Sequence, residues 1–354
     1  MRGSAPLLVL ASRLPERRTV GPAGYPVRSS LEIRLPISGA RPETTRLALL
    51  GPGRDLARTE VREIVYISGM ASSPSPSRRI RIALVGHVEH VTLGRVAALP
   101  HSGDIVHLSD LCWLPGGGCG VPFWQLLRGP TEIHFFTALG DDEAASQVEA
   151  ELRATRANVH AARRQEPHTR NVVMVTPGGE RTILVLGEPQ HPRREDPLPW
   201  ELLAQCDAAY FTAQDPEALR AARAARVLVA TARRREAISR SGVRLDVALG
   251  SAADGREMSR FSDYHPSPAA LVLTEGAKGG TIETAAGLSR FAPPPAVTQR
   301  AGSYGAGDSF AAALTFFLAA GLGVSEACAR AGAYGAAVLA GIDPRPNQLE
   351  LRLP

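Results

Sequence analysis

Short apolar runs alternate with segments of helical pattern from residue 80 almost to the end of this 354-residue chain. The runs at 80–86 and 133–140 are nearly continuous in apolar residues, and both end in glycine. Such runs are typical of strands buried on both faces, which belong to parallel sheets covered by helices. The alternation therefore predicts an α/β fold, a three-layer sandwich with a central, mostly parallel sheet.

The later elements follow the same order. The sequence pattern predicts strands at 208–212, 227–232 and 247–250, a strand pair at 271–274 and 280–284, and helices at 141–157, 215–226, 233–240, 306–320 and 324–340. A Pro-Gly-Gly-Glu turn between 172–176 and 181–186 predicts a β-hairpin.

Residues 1–79 differ from the rest of the chain. They show little helix or strand periodicity apart from short candidate strands at 30–36 and 61–67, and they end in a Ser/Pro-rich stretch. We expect a poorly structured leader, with Met70 as an alternative start, and a small independent domain is the competing interpretation. The folded domain is expected over 80–345, followed by a tail at 346–354.

The distribution of charge argues against a nucleic-acid partner. Residues 1–79 carry 13 arginines and six acidic residues, whereas the remainder carries 27 basic and 29 acidic residues. A folded nucleic-acid binder carries its positive charge on the fold itself. The four cysteines lie apart, which argues against a zinc site or a disulfide framework. No apolar run approaches the ~18 residues of a membrane span, so we expect a cytoplasmic protein.

The segment with the clearest chemical signal is 302–310, Gly-Ser-Tyr-Gly-Ala-Gly-Asp-Ser-Phe. Phe310 and the apolar residues four and seven positions later predict that a helix begins here. Gly305, Ala306 and Gly307 then carry the first helical amides, which have no partner within a helix and attract anions. Asp308 lies in the same turn. A carboxylate beside bound phosphoryl oxygens suits an enzyme that phosphorylates hydroxyl groups, because it accepts the alcohol proton.

A second glycine-bearing turn, Thr274-Glu-Gly-Ala-Lys-Gly-Gly280, precedes this segment by about 30 residues and also follows a strand. Together with Gly116–Gly118 and a Gly-Asp-Asp at 140–142, these motifs resemble the PfkB carbohydrate kinase family of ribokinase-like sugar kinases. The resemblance implies a small β lid, predicted around 101–110 and 168–187, and a homodimer formed through that lid.

The resemblance also implies ATP-dependent phosphoryl transfer to an alcohol of a sugar or polyol, with Mg²⁺. Asp308 would be the general base, and Gly305, Ala306 and Gly307 the anion hole. The nucleotide would contact the turn after the strand at 271–274, through Thr274, Glu275, Gly276, Lys278 and Gly279. The acceptor would contact Glu89, Gly117 and Gly118 as well as Asp308. Glu89 also follows a buried strand at the sheet edge where ligands bind.

Several positions depart from the family pattern. Gly302 stands where the family has an aspartate, Pro122 where it has an asparagine, and Glu89 where it has an aspartate that binds sugar hydroxyls. The family's N-x-x-E is present only as Ser251-Ala-Ala-Asp254. Asp254 would then contribute to the metal site through water.

Some residues allow two interpretations. His87 and His90 form either a metal pair or, as we favour, polar loop residues. Arg170 and Arg181 either reach an anionic substrate or, as we favour, are solvated lid charges. For the whole chain, the alternatives to a sugar kinase are a nucleoside kinase and a catalytically impaired relative that binds a nucleotide or sugar as a sensor or scaffold.

Overall fold

The computed structural model describes residues 79–354, together with two strands at 30–33 and 45–48. The chain divides into two units, Met1–Ala71 and Ser72–Pro354. In the first unit, β1 (Ser30–Ile33) pairs antiparallel with β2 (Thr45–Ala48). β1 falls within the strand predicted at 30–36. The candidate strand at 61–67, the alternative start and most of the predicted leader lie outside the described residues.

The second unit alternates strands and helices along the chain. Its strands are β3 (Ile80–Val85), β4 (Glu89–Arg95), β5 (Ser109–Gly116), β6 (Thr131–Leu139), β7 (Asn158–Arg163), β8 (Arg170–Val175), β9 (Arg181–Leu186), β10 (Ala208–Phe211), β11 (Val227–Thr231), β12 (Val247–Ser251), β13 (Ala270–Thr274), β14 (Gly280–Thr284) and β15 (Gly287–Phe291). Its α-helices are α1 (Gly117–Leu126), α2 (Glu143–Arg153), α3 (Pro216–Ala222), α4 (Arg235–Ser241), α5 (Ala306–Ala319) and α6 (Val324–Ala337).

The large sheet has the order β15-β14-β13-β12-β11-β10-β3-β6-β7. The strands from β13 to β7 are parallel, and β14 and β15 add an antiparallel pair at one edge. Apolar side chains from one face of the sheet pack with helices α1, α2, α5 and α6. Those from the other face pack with α3, α4 and the 3-10 helix Trp200–Gln205. The predicted three-layer sandwich is confirmed.

A second sheet has the order β5-β4-β8-β9. β8 and β9 form the predicted hairpin, in which Gly179 donates to the carbonyl of Thr176 at 2.8 Å. The other lid segment, predicted at 101–110, is mostly an exposed loop, and β4 and β5 flank it. Its sequence includes Gly103 with a φ of 92°, and the antiparallel register of β4 with β5 begins only at Ser109.

The last residues pack against the domain rather than extending beyond it. Leu351 is buried, and its amide donates to the carbonyl of Arg128 at 3.0 Å. Gln125 of α1 donates its side-chain amide to the carbonyl of Leu349 at 2.8 Å. The predicted tail therefore helps to hold α1. Among the described residues, no helix combines the length and apolarity that crossing a membrane requires.

Candidate active site

The start of α5 is open to a ligand. Gly305 precedes the helix with a φ of 81°, a left-handed conformation that glycine adopts without strain. A Cβ atom at Gly305 would lie 2.9 Å from Cγ1 of Val121, whereas one at Gly307 would meet nothing within 4 Å. The amides that follow have no helical partner at this end. The predicted anion hole therefore has unpaired donors beside open space.

Asp308 lies in the first turn of α5 and is half-buried. Among residues 79–354, no hydrogen bond is one of the causes that shift the pKa of Asp308. The carboxylate does not cap α5 either, because the start of this helix has no side-chain cap. Burial raises the pKa of Asp308 to about 7; the Arg181 guanidinium opposes this shift and the Glu257 carboxylate adds to it. Asp308 is thus a carboxyl group without a partner among these residues, and its pKa near neutral suits a general base.

Glu89 is the first residue of β4, and only 6% of its surface is exposed. Asn171 of β8 donates its side-chain amide to Oε2 of Glu89 at 2.5 Å. Burial raises the pKa of Glu89 to about 7; the Asn171 hydrogen bond lowers it, and the negative charge of Asp308 raises it. Because each carboxyl group can accept hydrogen bonds, Glu89 and Asp308 together suit a ligand with several hydroxyl groups.

Tyr304 joins the two glycine motifs. The Gly117 amide donates to the Tyr304 hydroxyl at 3.1 Å, and burial raises the pKa of that phenol. Gly117 has a φ of 81°, and a Cβ atom there would lie 3.0 Å from Oε2 of Glu89. The neighbouring Gly118 amide donates to Nε2 of His87 at 3.1 Å. The residues predicted for the acceptor and for phosphoryl transfer therefore meet at one place.

His87, which precedes β4, and His90, which lies in β4, do not act together. Nε2 of His87 lies 3.6 Å from Oε1 of Glu89, and the His87 side chain is largely buried. His90 instead stacks on Trp113 and hydrogen-bonds to Gln147. Within residues 79–354 no group of three metal-binding side chains forms. The metal-pair interpretation is wrong. The favoured interpretation, that both are polar loop residues, does not account for the burial of the His87 side chain.

In the turn between β13 and β14, some residues are exposed and one carboxylate is already paired with an arginine. Gly276 has a φ of 60° with open space beside it, and the Lys278 side chain is exposed. The Glu275 carboxylate accepts two hydrogen bonds from Arg290 of β15, at 3.1 and 2.6 Å. Gly279 has a φ of 81°, and a Cβ atom there would lie 2.4 Å from the Phe291 carbonyl oxygen. Gly276 and Lys278 are accessible to a nucleotide, whereas the Glu275 side chain is already paired.

Thr274, the first residue predicted for the nucleotide, ends β13 and lies opposite Gly280 of β14. Its hydroxyl donates to the carbonyl of Gly250, one residue before the end of β12, at 3.3 Å. The turn is thereby anchored at the edge of the sheet where the parallel strands end, which is the usual ligand side of such a sheet.

Asp254, the predicted metal residue, is paired with arginines. Its Oδ2 accepts from Arg233 at 2.6 Å, and its Oδ1 accepts from the Arg256 amide at 2.9 Å. Arg233 also binds Glu257 at 2.6 Å. With both Asp254 oxygens engaged by cations and backbone, these residues do not fit a magnesium site, and we derive no step through the metal.

Two departures from the family pattern have local explanations. A Cβ atom at Gly302 would lie 2.7 Å from the Gly341 carbonyl oxygen, so the close approach of these two loops excludes an aspartate there. The amides of Ala301 and Gly302 both donate to the Leu339 carbonyl, which fixes that approach. Pro122 is buried inside α1 and has no polar side-chain atom to offer a ligand.

The two arginines that flank the β8–β9 hairpin have different partners. Arg170 pairs with Asp142, the residue that caps α2, at 3.0 Å. Among residues 79–354, Arg181 has only a long contact of 3.4 Å with the Ser303 hydroxyl, and its charge acts on Asp308. Sequence reasoning missed Asn171 and did not separate these two arginines. Neither the Asn171–Glu89 contact nor the position of Arg181 leaves a local signal in the sequence.

Comparison with known proteins gives both a family match and a fold. The family described as pfkB family carbohydrate kinase matches residues 256–348, which include α5 and the turn before it. This match confirms the predicted resemblance. The chain has the ribokinase fold. No curated protein sequence matches it.

Solved structures with the ribokinase fold cover most of this chain. Ribokinase from Thermotoga maritima has a TM-score of 0.63 and 16% identity, over 77% of this chain and 96% of its own. Adenosine kinase from Sinorhizobium meliloti has a TM-score of 0.61 and 17% identity, over 76% and 95%. Ribokinase from Arabidopsis thaliana, complexed with ribose and ATP, has a TM-score of 0.59 and 15% identity, over 77% and 96%.

Proposed function

We propose that this protein is an ATP-dependent phosphotransferase that phosphorylates an alcohol hydroxyl of a sugar or related polyol. The observation that carries the proposal is the position of Asp308, an unpaired carboxyl group with a raised pKa, beside the open amides at the start of α5. Few structural roles require a half-buried carboxyl group without a partner, because removing it from water costs stability.

The proposed reaction uses the residues of the site as follows. The acceptor hydroxyl oxygen attacks the γ-phosphorus of ATP, the bond from that phosphorus to the bridging oxygen breaks, and ADP leaves. Asp308 accepts the hydroxyl proton, and the amides of Gly305, Ala306 and Gly307 stabilise charge on the transferred group. Glu89, oriented by Asn171 and Gly117, holds other hydroxyl groups of the acceptor.

The nucleotide would lie along the turn from Thr274 to Gly279. The exposed Lys278 can approach its phosphates, and the left-handed Gly276 leaves the backbone accessible. Glu275 contributes to the shape of the turn, because its carboxylate is held by Arg290. ATP as the donor is supported by the Arabidopsis ribokinase, which was solved with ATP and ribose.

The test is an acceptor screen with ATP over neutral sugars, sugar acids, sugar phosphates and nucleosides, which are included because an adenosine kinase has the same fold. Substrate-dependent ADP release is the expected result. Asp308→Asn should abolish it while nucleotide binding persists. Glu326→Gln is the matched control, because Glu326 is also a first-turn acid of a 14-residue helix but is exposed and paired with Arg330.

A second candidate function is a catalytically impaired relative that binds a nucleotide or sugar as a sensor or scaffold. The observation that favours it is the engagement of Asp254 by Arg233. Nucleotide binding without ADP release over the whole panel would support it and refute the first. Running residues 70–354 beside the full chain tests our further proposal that the folded domain, and not the N-terminal segment, carries the activity.

We also propose that two copies associate through the small sheet. β9 is an edge strand of that sheet, and four consecutive apolar residues, Ile183 to Leu186, are exposed on it. Edge strands with exposed apolar residues pair readily with another chain, and natural monomers avoid them.

A further inference from the structure

Two buried histidines beside the acceptor site have an imidazole nitrogen without a partner. Among residues 79–354, Nδ1 of His87 and Nδ1 of His191 are buried and make no hydrogen bond. The two rings meet edge to face, with their centres 4.8 Å apart. Buried polar atoms are almost always paired, so two unpaired ones on contacting rings require an explanation.

The contacts of the opposite nitrogens fix which ring atoms carry protons. Nε2 of His87 accepts from the Gly118 amide at 3.1 Å, and Nε2 of His191 accepts from Arg234 at 3.3 Å. An imidazole nitrogen that accepts cannot carry a proton, so each proton is on Nδ1. Burial and the Arg234 charge lower the pKa of His87 to about 3, and burial likewise lowers the pKa of His191. Both rings are therefore neutral and each offers one unused donor.

Arg234 adds unused donors and a charge. Its Nε donates to the Thr212 carbonyl at 2.7 Å and its Nη2 to His191, so three of its five N–H groups have no partner within 79–354. The adjacent arginines are both paired: Arg233 with Asp254 and Glu257, and Arg235 with Asp263. Arg234 alone of the three has no carboxylate partner there, although it is half-buried and burial lowers its pKa.

The cluster formed by His87, His191 and Arg234 lies near the residues proposed to bind the acceptor. Thr212 directly follows β10, and His87 follows β3, its parallel neighbour, so both lie at the edge of the sheet where the strands end. His87 contacts Glu89 and the Gly118 amide. His191 also lines a groove of about 1290 Å³. His87 thus lies next to the groups proposed to hold the acceptor, and Arg234 is near enough for the charge of Glu89 to act on it.

We propose that Arg234, with His87 and His191, binds an anionic group of the acceptor, either a carboxylate or a phosphate ester. A charged guanidinium with free N–H groups forms its strongest hydrogen bonds to such oxygens, and neutral imidazole donors complete the set. This inference rests on the proposed kinase activity and narrows its acceptor to sugar acids or sugar phosphates. The alternative is that ordered water satisfies these donors.

The kinetic test compares three matched acceptors: a neutral sugar, its uronic acid and its phosphate ester. The uronic acid or the phosphate ester should be the better substrate, and the difference between them identifies the anion. Arg234→Gln should raise KM for that acceptor by about 10- to 100-fold with little change in kcat, because charge-assisted hydrogen bonds are lost. Arg234→Lys should restore part of the affinity. Arg235→Gln is the matched control, because Arg235 is adjacent but bound to Met258 and Asp263.

A binding test separates this inference from the kinase proposal. Titration calorimetry with inorganic phosphate and with the sugar acid needs no turnover. Binding that disappears in Arg234→Gln and persists in Arg235→Gln supports the anion site even if no ADP is released. Phosphorylation of the neutral sugar with no preference for anions, or equal anion binding by the wild type and Arg234→Gln, would overturn the inference and leave the kinase proposal intact. Thermal unfolding of each variant confirms that it is folded.

Discussion

Asn171 and Glu89, on neighbouring strands of the small sheet, share a 2.5 Å hydrogen bond in which the amide donates to the carboxylate. The bond lowers the pKa of Glu89, whereas burial raises it, and the net value is about 7. Through Asn171, the strand β8 of the small sheet therefore contributes to how much of Glu89 is charged at neutral pH. If Glu89 binds acceptor hydroxyls, Asn171 sets how well it accepts them.

Replacing Asn171 with alanine should raise the pKa of Glu89 further and leave the carboxyl group without its orienting partner. We expect KM for the acceptor to rise by about tenfold, close to the value of one hydrogen bond to a charged group, with a smaller effect on KM for ATP. Steady-state kinetics with each substrate varied will measure this. Asn158→Ala, at the exposed start of β7, is the control; equal effects of the two variants would contradict the role of Asn171.

Asp308 should reduce stability at high pH. Its pKa is about 7 in the folded protein against an ordinary value of 3.8 for a free aspartate. The pKa of Asp308 is higher in the folded state than in the unfolded state. Its favourable contribution to the free energy of unfolding is therefore fully present below about pH 4 and is lost as the pH rises through 7. The full pKa difference corresponds to about 4 kcal/mol, and solvent screening at the half-buried Asp308 reduces it, so Asp308→Asn should be more stable than the wild type by about 2 kcal/mol at pH 8 and nearly equal to it at pH 4. Denaturant unfolding across this pH range measures the difference; a difference independent of pH would contradict the raised pKa.

Alanine substitutions of the two glycines at the start of α5 should distinguish an effect on stability from an effect on phosphate binding. Gly305→Ala places a Cβ atom 2.9 Å from Val121 at a φ of 81°, so it should lower the free energy of unfolding by about 1–2 kcal/mol and lower kcat. A Cβ atom at Gly307 would meet no atom of residues 79–354 within 4 Å. Gly307→Ala should therefore leave stability unchanged or higher, yet raise KM for ATP by obstructing the phosphates. An unchanged KM in Gly307→Ala would argue against phosphate binding at these amides.

Much of the fold follows from the sequence because buried parallel strands need continuous apolar runs. The strands β3, β6, β10, β11, β12 and β13 all appear close to their predicted positions. α1 was missed because it begins Gly-Gly-Cys-Gly and contains Pro122, all unfavourable for an isolated helix. It forms because its residues Phe123 and Leu126 pack into the core. β4 and β5 were missed because their pairing is set by the small sheet and not by a local pattern.

The candidate site likewise contains residues that the sequence predicts and residues that it does not. Asp308 and the adjacent glycines are predictable because their geometry is local to one turn. Glu89 and Asn171 are 82 residues apart, and His191 and Arg234 are 43 apart. Such contacts depend on how the sheets pack, so no local pattern signals them. The pairing of Asp254 with Arg233 likewise depends on two loops meeting at the edge of the sheet.

The proposed dimer predicts a specific sensitivity of β9. Leu184 is 52% exposed on this edge strand, and Leu184→Glu places a charge in the proposed interface. Light scattering after size exclusion should show a dimer for the wild type and a monomer for the variant. Leu288→Glu is the control, because Leu288 is 69% exposed on β15, the edge strand of the large sheet. A wild-type monomer would contradict the proposal.

The most direct measurement of the central claim is transfer of the labelled γ-phosphoryl group from ATP to the acceptor that the screen identifies, followed in the wild type, Asp308→Asn and Glu326→Gln. We predict labelled acceptor with the wild type and Glu326→Gln, with a rate that falls below about pH 7 as Asp308 is protonated, and none with Asp308→Asn. Asp308→Asn that is folded, binds ATP and transfers the label at the wild-type rate would contradict the assignment of Asp308 as the general base.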